Sequence, residues 1–233
     1  LRTIRPAGPP FLDLPANLFS APDLTLADQY GHPADRALLL AEMLDAAGFE
    51  AEVILASSDT TSFEFFSQPQ RDLPQLKFYS FPLVAVHHKG RTYYLNDGDQ
   101  YDEPGVSALD RAPALTLRGK QFTVSVADEM RNSNRSEWIV CLDESGDARI
   151  TVTNWFAGTR AGPFRKQYQE MLPEDRRRHY LDLINGISKS AQAVSDLVTE
   201  TESYPPYRSY TVAARRYAAV DTGVLTLTIP EVA

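Results

Sequence analysis

Residues able to make or break bonds are scarce in this 233-residue chain, which holds one cysteine, Cys141, and four histidines. Cys141 lies between Val140 and Leu142 in an apolar run, so it reads as a small buried hydrophobe of a strand interior and not as a nucleophile. A single thiol also excludes an intramolecular disulfide and any multi-cysteine metal site. His87 and His88 are neighbours in a strand-like run, and adjacent strand side chains point to opposite faces, so they cannot readily bind one metal together. The run Asn96-Asp97-Gly98-Asp99-Gln100-Tyr101-Asp102-Glu103 carries enough oxygens for calcium. It lacks the spacing of a twelve-residue calcium loop and reads first as a solvated acidic loop. Phe63, Phe65, Phe66, Phe78, Tyr79 and Phe81 form an aromatic segment that fits either a core or the wall of a groove for sugar or peptide. Arg176-Arg177-Arg178 follows Glu174 and Asp175, a charge run read as the wet face of an amphipathic helix with no assigned partner. No cofactor and no metal are expected.

The elements that would position these residues belong to a folded protein. An apolar content of 43% supplies a core for one large or two ordinary domains. The net charge of -8 is uneven: residues 1–125 carry 16 acidic and 10 basic side chains, and 126–233 carry 15 and 13. Neither half is basic enough to neutralise a phosphate backbone, so nucleic acid is not an expected partner. No apolar run approaches the roughly 20 residues that cross a bilayer, so no transmembrane segment is expected. The chain starts at Leu1 and is expected to lack upstream sequence, including any export signal.

Pro6, Pro9, Pro10, Pro15 and Pro22 mark residues 1–24 as an extended proline-rich arm or linker. From Pro33, the helical spacing of Ala37, Leu40, Ala41 and Leu44 with Gly48 beyond predicts a helix ending near Ala47. Glu50 to Ala56 reads as a strand. Phe81 to His87 and Arg91 to Leu95 read as a hairpin closed by Lys89-Gly90. A polar stretch, Asn132 to Ser136, precedes a second pattern in which Trp138 to Leu142 and Ile150 to Phe156 flank Glu144-Ser145-Gly146-Asp147. Phe164, Tyr168 and Met171, then Leu181, Ile184 and Ile187 after Pro173, mark two helices. Strands resume near Ala193, and Leu225, Leu227 and Ile229 alternate with threonines as a half-buried strand does. The expected class is α+β, with a boundary near residue 130.

The segment Thr25-Leu26, a spacer to Tyr30, then Gly31-His32-Pro33-Ala34-Asp35-Arg36-Ala37 and three leucines resembles the nucleophile motif of bacterial transglutaminase-like domains. The continuation from Met43 to Ala51, with Gly48 before the strand, is similar to that family as well. The resemblance places the cysteine position at Pro33, the histidine position at Phe81 with Pro82 as the alternative one residue on, and the aspartate position at Asn96 after Tyr94-Leu95. Residues 131–233 resemble the β-rich domain of unknown function that accompanies such domains, through the Gly146 hairpin, Phe164 to Tyr168, Leu172 to Arg177 and the closing strands.

The resemblance implies a partial transglutaminase-like core at 25–130, a helix on an antiparallel sheet, followed by a β-rich accessory domain with one or two helices. It implies a cysteine-dependent fold whose triad is degenerate. A helix amino terminus stabilises a thiolate through its N–H groups and dipole, and Pro33 keeps the helix start while removing the thiol. The reading is a non-catalytic binding or scaffolding module of a bacterial cell-envelope protein, periplasmic or secreted. Phe81, Asn96 and Tyr79 are its candidate ligand contacts, the ligand being a peptide, glycan or protein, with an upstream β domain of the same full-length protein as neighbour. The alternative is an active cysteine hydrolase or acyltransferase acting on peptide or glutamine amides. A third reading gives Asp35, Asp97 or His32 unrelated chemistry in the same groove.

Overall fold

The computed structural model describes residues 3–8, 13, 19–57, 75–96, 98, 100–221 and 224–227. They form two compact units divided between Arg131 and Asn132, and each combines helices with antiparallel sheet in an α+β architecture. Among these residues no strand of one main sheet pairs with the other.

The first unit is organised by a helix from Pro33 to Ala46, here α2. Pro33 occupies a first-turn position, where its fixed φ suits the helix and its missing N–H costs nothing. Gly48 ends it at φ +86, a conformation glycine adopts without strain, and its N–H reaches the Asp45 carbonyl at 2.8 Å. The chain then enters β3 (Glu50–Ala56), which pairs antiparallel with β4 (Phe81–His88) from Glu50↔His87 to Ala56↔Phe81. β4 turns into β5 (Arg91–Leu95) through Lys89 and Gly90, both at positive φ, as a two-residue hairpin requires. β6 (Pro113–Thr116) joins the other edge of β3, and β7 (Gln121–Thr123) follows it, for the order β5-β4-β3-β6-β7.

Side-chain alternation then builds two layers. Val84 and Val86 meet Ala37, Leu40, Ala41 and Leu44 of α2 on one face. Ile54, Leu83, Ala85 and Tyr94 meet Leu109 and Val124 on the other. The helical stripe differs from expectation in one respect: Leu39, off the predicted spacing, is 3% exposed, whereas Leu40 and Leu44 are partly buried. A second helix, α1 (Pro22–Asp28), packs beside α2, so α2 buries more than its sheet-facing side.

Helix α1 begins inside the segment read as an arm, with Pro22 at its first turn. Among the described residues of that segment only Arg5 and Pro6 are strand, and they are not detached. β1 (Arg5–Pro6) pairs in parallel with β2 (Tyr30–Gly31), the two residues before His32, and Ile4 is 3% exposed. The docking arises from backbone partners that lie more than 20 residues on. Pro9, Pro10 and Pro15, and the aromatics Phe63, Phe65 and Phe66, lie outside the described residues.

In the second unit β8 (Ser133–Leu142) and β9 (Ala148–Ala157) form a long hairpin. β12 (Tyr207–Ala214) lies beside β9, and β10 (Ala191–Ala193) and β11 (Val198–Glu200) both pair with β12. Helices α3 (Ala161–Glu170) and α4 (Pro173–Ile187) supply Phe164, Tyr168 and Ile184 to a core with Ile150, Val152 and Val212. The polar stretch read as a separator is strand: Ser133 to Ser136 belong to β8, where the Ser136 hydroxyl takes a 2.7 Å hydrogen bond from the buried Asn154 amide. Arg176 is likewise not merely wet. It donates to Thr199 Oγ1 at 2.6 Å and lies over the Tyr168 ring.

Cys141 is exposed, against the expectation of burial. β8 is the end strand of the sheet's order, and Trp138, Val140 and Leu142 take the inward face, so the period of two sends Ile139 and Cys141 outward. The closing segment is β14 (Val224–Thr226), paired antiparallel with β13 (Ala219–Asp221) as a separate two-stranded ribbon. Ile229 lies outside the described residues.

Both tryptophans, Trp138 and Trp155, are in the second unit, so indole fluorescence reports its unfolding separately. Gly146 stands at φ +81, and a Cβ there would lie 2.4 Å from the Ala218 carbonyl oxygen. Gly146→Ala should lower the second unit's stability by more than about 1 kcal/mol, read as a lower urea midpoint by fluorescence. In the first unit Leu39→Ala should cost about 2 to 5 kcal/mol and Leu40→Ala less, read by far-ultraviolet circular dichroism.

Candidate functional site

The start of α2 is a buried polar junction. The first N–H groups of any helix lack intrahelical partners and need a cap. His32 is the N-cap residue: its Nδ1 accepts from the Ala34 N–H at 3.2 Å. Asp35 completes the box, its Oδ2 accepting from the His32 N–H at 3.0 Å and its Oδ1 from the Ser20 N–H at 2.9 Å. Both side chains are buried, and burying a carboxylate is tolerable only with such donors. The spacing of His32 and Asp35 is that of a capping box, which answers what these two residues do without calling on chemistry. Asp97 lies outside the described residues.

Asn96 follows the last residue of β5 at φ +87, in the left-handed region that asparagine tolerates better than most side chains. Its Nδ2 donates to the Pro82 carbonyl at 3.0 Å and to the Pro33 carbonyl at 3.3 Å. Positions 33, 82 and 96 therefore meet, although the chain separates Pro33 from Asn96 by 63 residues. The histidine position as aligned, Phe81, is the neighbour of that contact. It opens β4 opposite Ala56 and is 44% exposed. Tyr79 has 0% exposure and packs with Leu55, and burial raises its phenol pKa. It is a core residue here and not a ligand contact.

Chemically, Pro33, Pro82 and Asn96 themselves offer no nucleophile and no titratable side chain. Both amide hydrogens of Asn96 have carbonyl acceptors, so the side chain staples the first turn of α2 to the β4–β5 hairpin. Sequence reading had placed Pro82 only as an alternative position. It had missed the capping role of His32 and the part of Ser20, although the spacing from His32 to Asp35 carries the first signal.

Other groups with reactive potential are engaged elsewhere. His87 Nδ1 lies 3.0 Å from Thr92 Oγ1 and its Nε2 3.8 Å from Glu52, whereas His88 meets the Phe49 ring edge-on. Among the described residues no group of three or more His, Cys, Asp or Glu is arranged to hold a metal. In the second unit Tyr168 Oη and His179 Nε2 are 2.8 Å apart. Burial, with Arg208 in support and Asp182 opposing, lowers the His179 pKa. A cavity of about 810 Å³ in the same unit is lined by Ser145, Ile187, Arg216, Tyr217 and Val220, among others, and includes none of the junction residues.

Comparison with known families and with curated proteins finds no match. Among solved structures the chain is similar to one described as the crystal structure of a putative protease from Parabacteroides distasonis ATCC 8503. The identity is 14%, the match covers 83% of this chain and 39% of that one, and the TM-score is 0.34. This chain thus spans well under half of that protein, and a likeness so loose assigns it no activity. Among the described residues no helix is long and apolar enough to cross a membrane, a statement that leaves strands aside.

Asn96→Ala should destabilise the first unit by about 1 to 3 kcal/mol, since the part-buried bonds to the Pro33 and Pro82 carbonyls are lost. Asn96→Asp should cost at least as much at neutral pH. It would set a carboxylate against two carbonyl oxygens. Chemical denaturation of the three proteins side by side checks the order. For His179 the folded pKa is lowered, so its contribution is complete above the unfolded value of about 6.5 and is lost as pH falls through the folded value. Tryptophan-monitored stability should therefore decline below that pH, and less steeply in His179→Asn.

Proposed function

We propose that this chain is a non-catalytic transglutaminase-like module that binds an extended peptide segment, within a bacterial cell-envelope protein that also carries an upstream β domain. The observation that carries the reading is the Asn96 staple: the carboxamide, at the aspartate position of the motif resemblance, donates to the carbonyls of Pro33, its cysteine position, and of Pro82, the alternative to Phe81 as its histidine position. Acyl transfer needs a nucleophile, a proton carrier and a hydrogen bond between them. At this junction those roles are taken by a proline, a backbone carbonyl and an amide already engaged. The one thiol, Cys141, belongs to the other unit and sits on the outward face of β8.

Binding asks for less than catalysis. A peptide needs a rigid wall with apolar and main-chain contacts, and Phe81 supplies a half-exposed aromatic at the edge of the junction. The sheet behind it is fixed by the α2 packing, so the wall is preformed and little ordering entropy is lost on binding. Envelope location and the upstream domain follow from the family resemblance.

Purified protein should show no turnover of peptide-amide or glutamine-plus-amine substrates in the presence or absence of a thiol alkylator. Turnover abolished by alkylation would overturn the reading in favour of an active cysteine enzyme. On an array of short peptides the protein should give signals that fall at least threefold with Phe81→Ala. An array unchanged by that substitution removes Phe81 from the binding surface.

A further inference from the structure

We infer that β2 is one wall of a strand-addition slot for an extended peptide, and that the chain's own Ile4–Ala7 segment fills this slot in cis. The inference deepens the binding role proposed above and rests on it. The Arg5 N–H donates to the Gln29 carbonyl at 2.9 Å and the Ala7 N–H donates to the Gly31 carbonyl at 3.0 Å. The register is parallel, Arg5 opposite Tyr30 and Pro6 opposite Gly31. Pro6, which has no N–H, falls between the two donors, where a strand's N–H points away from its partner.

The remaining contacts describe what such a slot recognises. Ile4 is 3% exposed and acts as a single aliphatic anchor. Arg5 and Pro6 face solvent, so their identity is open to variation. Gly8, at φ +96, carries the arm past the His32 ring, and a Cβ there would lie 3.4 Å from His32 Cδ2. On the wall side Gly31 leaves no room for a side chain, because a Cβ would meet Thr25 Cγ2 at 2.8 Å and Asp35 Cβ at 3.2 Å. The wall is therefore held from behind by the same capping box that starts α2, two residues before Pro33. Main-chain bonds give affinity and one buried side chain gives selectivity, which is how peptides add to exposed strands.

Two hydrogen bonds and one anchor make a weak pairing, sustained in cis by the high effective concentration of a tethered segment. The ligand class is an extended peptide with an aliphatic residue three positions before an N–H donor, tolerant of proline between them. Such a peptide competes with the arm for the slot.

The test uses the full chain and Ile4→Asp, with a fluorescein-labelled Thr-Ile-Arg-Pro-Ala-Gly peptide as probe and fluorescence anisotropy as readout. A control peptide carries N-methylalanine in place of alanine, deleting only the N–H that meets Gly31. The Ile4→Asp chain is expected to bind the probe at least tenfold more tightly than the unaltered chain does, and at least tenfold more tightly than it binds the control. Equal affinities of the two chains, or equal binding of probe and control, overturn the inference. Hydrogen exchange on the unaltered chain gives an answer independent of how Ile4→Asp folds. Arg5 and Ala7 amides should exchange at least 100-fold faster than those of Val53 and Val84 in the central strands. Comparable protection would make the arm a permanent strand and overturn the cis-ligand reading, leaving the turnover assay to decide the non-catalytic reading on its own.

Discussion

A helix that begins in the interior must find partners for backbone groups that water would otherwise satisfy, and the first unit is arranged around that need at α2. His32 at the N-cap and Asp35 in the first turn close the capping box, Ser20 donates to Asp35 from the preceding segment, and Asn96 reaches the first-turn carbonyl from the end of β5. Each bond recruits a different piece of chain. The arm, the α1–β2 segment and the β4–β5 hairpin are all positioned with respect to this one helix end, and an unmet buried polar group there would cost roughly 1 to 3 kcal/mol.

The same geometry accounts for the residue types found at this junction. A helix start that would stabilise a thiolate also accepts proline, which suits the first turn by φ and by its missing N–H. The amide at the end of β5 donates to carbonyls, which a carboxylate there could not do. Because the Asn96 amide donates to main-chain carbonyls, these bonds depend on the side chain at 96 but not on the side chains at 33 and 82.

The second unit is governed by a different local constraint, the turn between β8 and β9. Asp143 Oδ1 accepts from the Ser145 and Asp147 N–H groups and from the Ser145 hydroxyl, and these donors hold its carboxyl below the usual range. The Ala218 N–H donates to the Gly146 carbonyl at 3.0 Å and the Arg216 N–H to Asp147 Oδ1 at 2.8 Å. The turn thus anchors the exit from β12 as well as its own hairpin, and only glycine permits so close an approach.

What the sequence alone determined is local. The span of α2, the run from Glu50 to Ala56, the Lys89-Gly90 hairpin and the two helices after Gly158 were legible because caps, turn residues and periodicity act over four or five residues. The motif frame pointed to positions 33, 81 and 96, with 82 only as the alternative to 81. Tertiary structure decided the rest. No spacing reveals that Asn96 spends its amide on Pro33 and Pro82, that Arg5 and Pro6 pair with Tyr30 and Gly31, or that α1 stands beside α2. Alternation put Cys141 opposite its neighbours but could not say which face was inward until α3 and α4 packed on the side of Val140 and Leu142. Tyr79 and Phe81 are equally aromatic and two residues apart, yet one is fully buried and the other half-exposed. Burial is a property of what other segments bring to the site, and the residues themselves do not carry it.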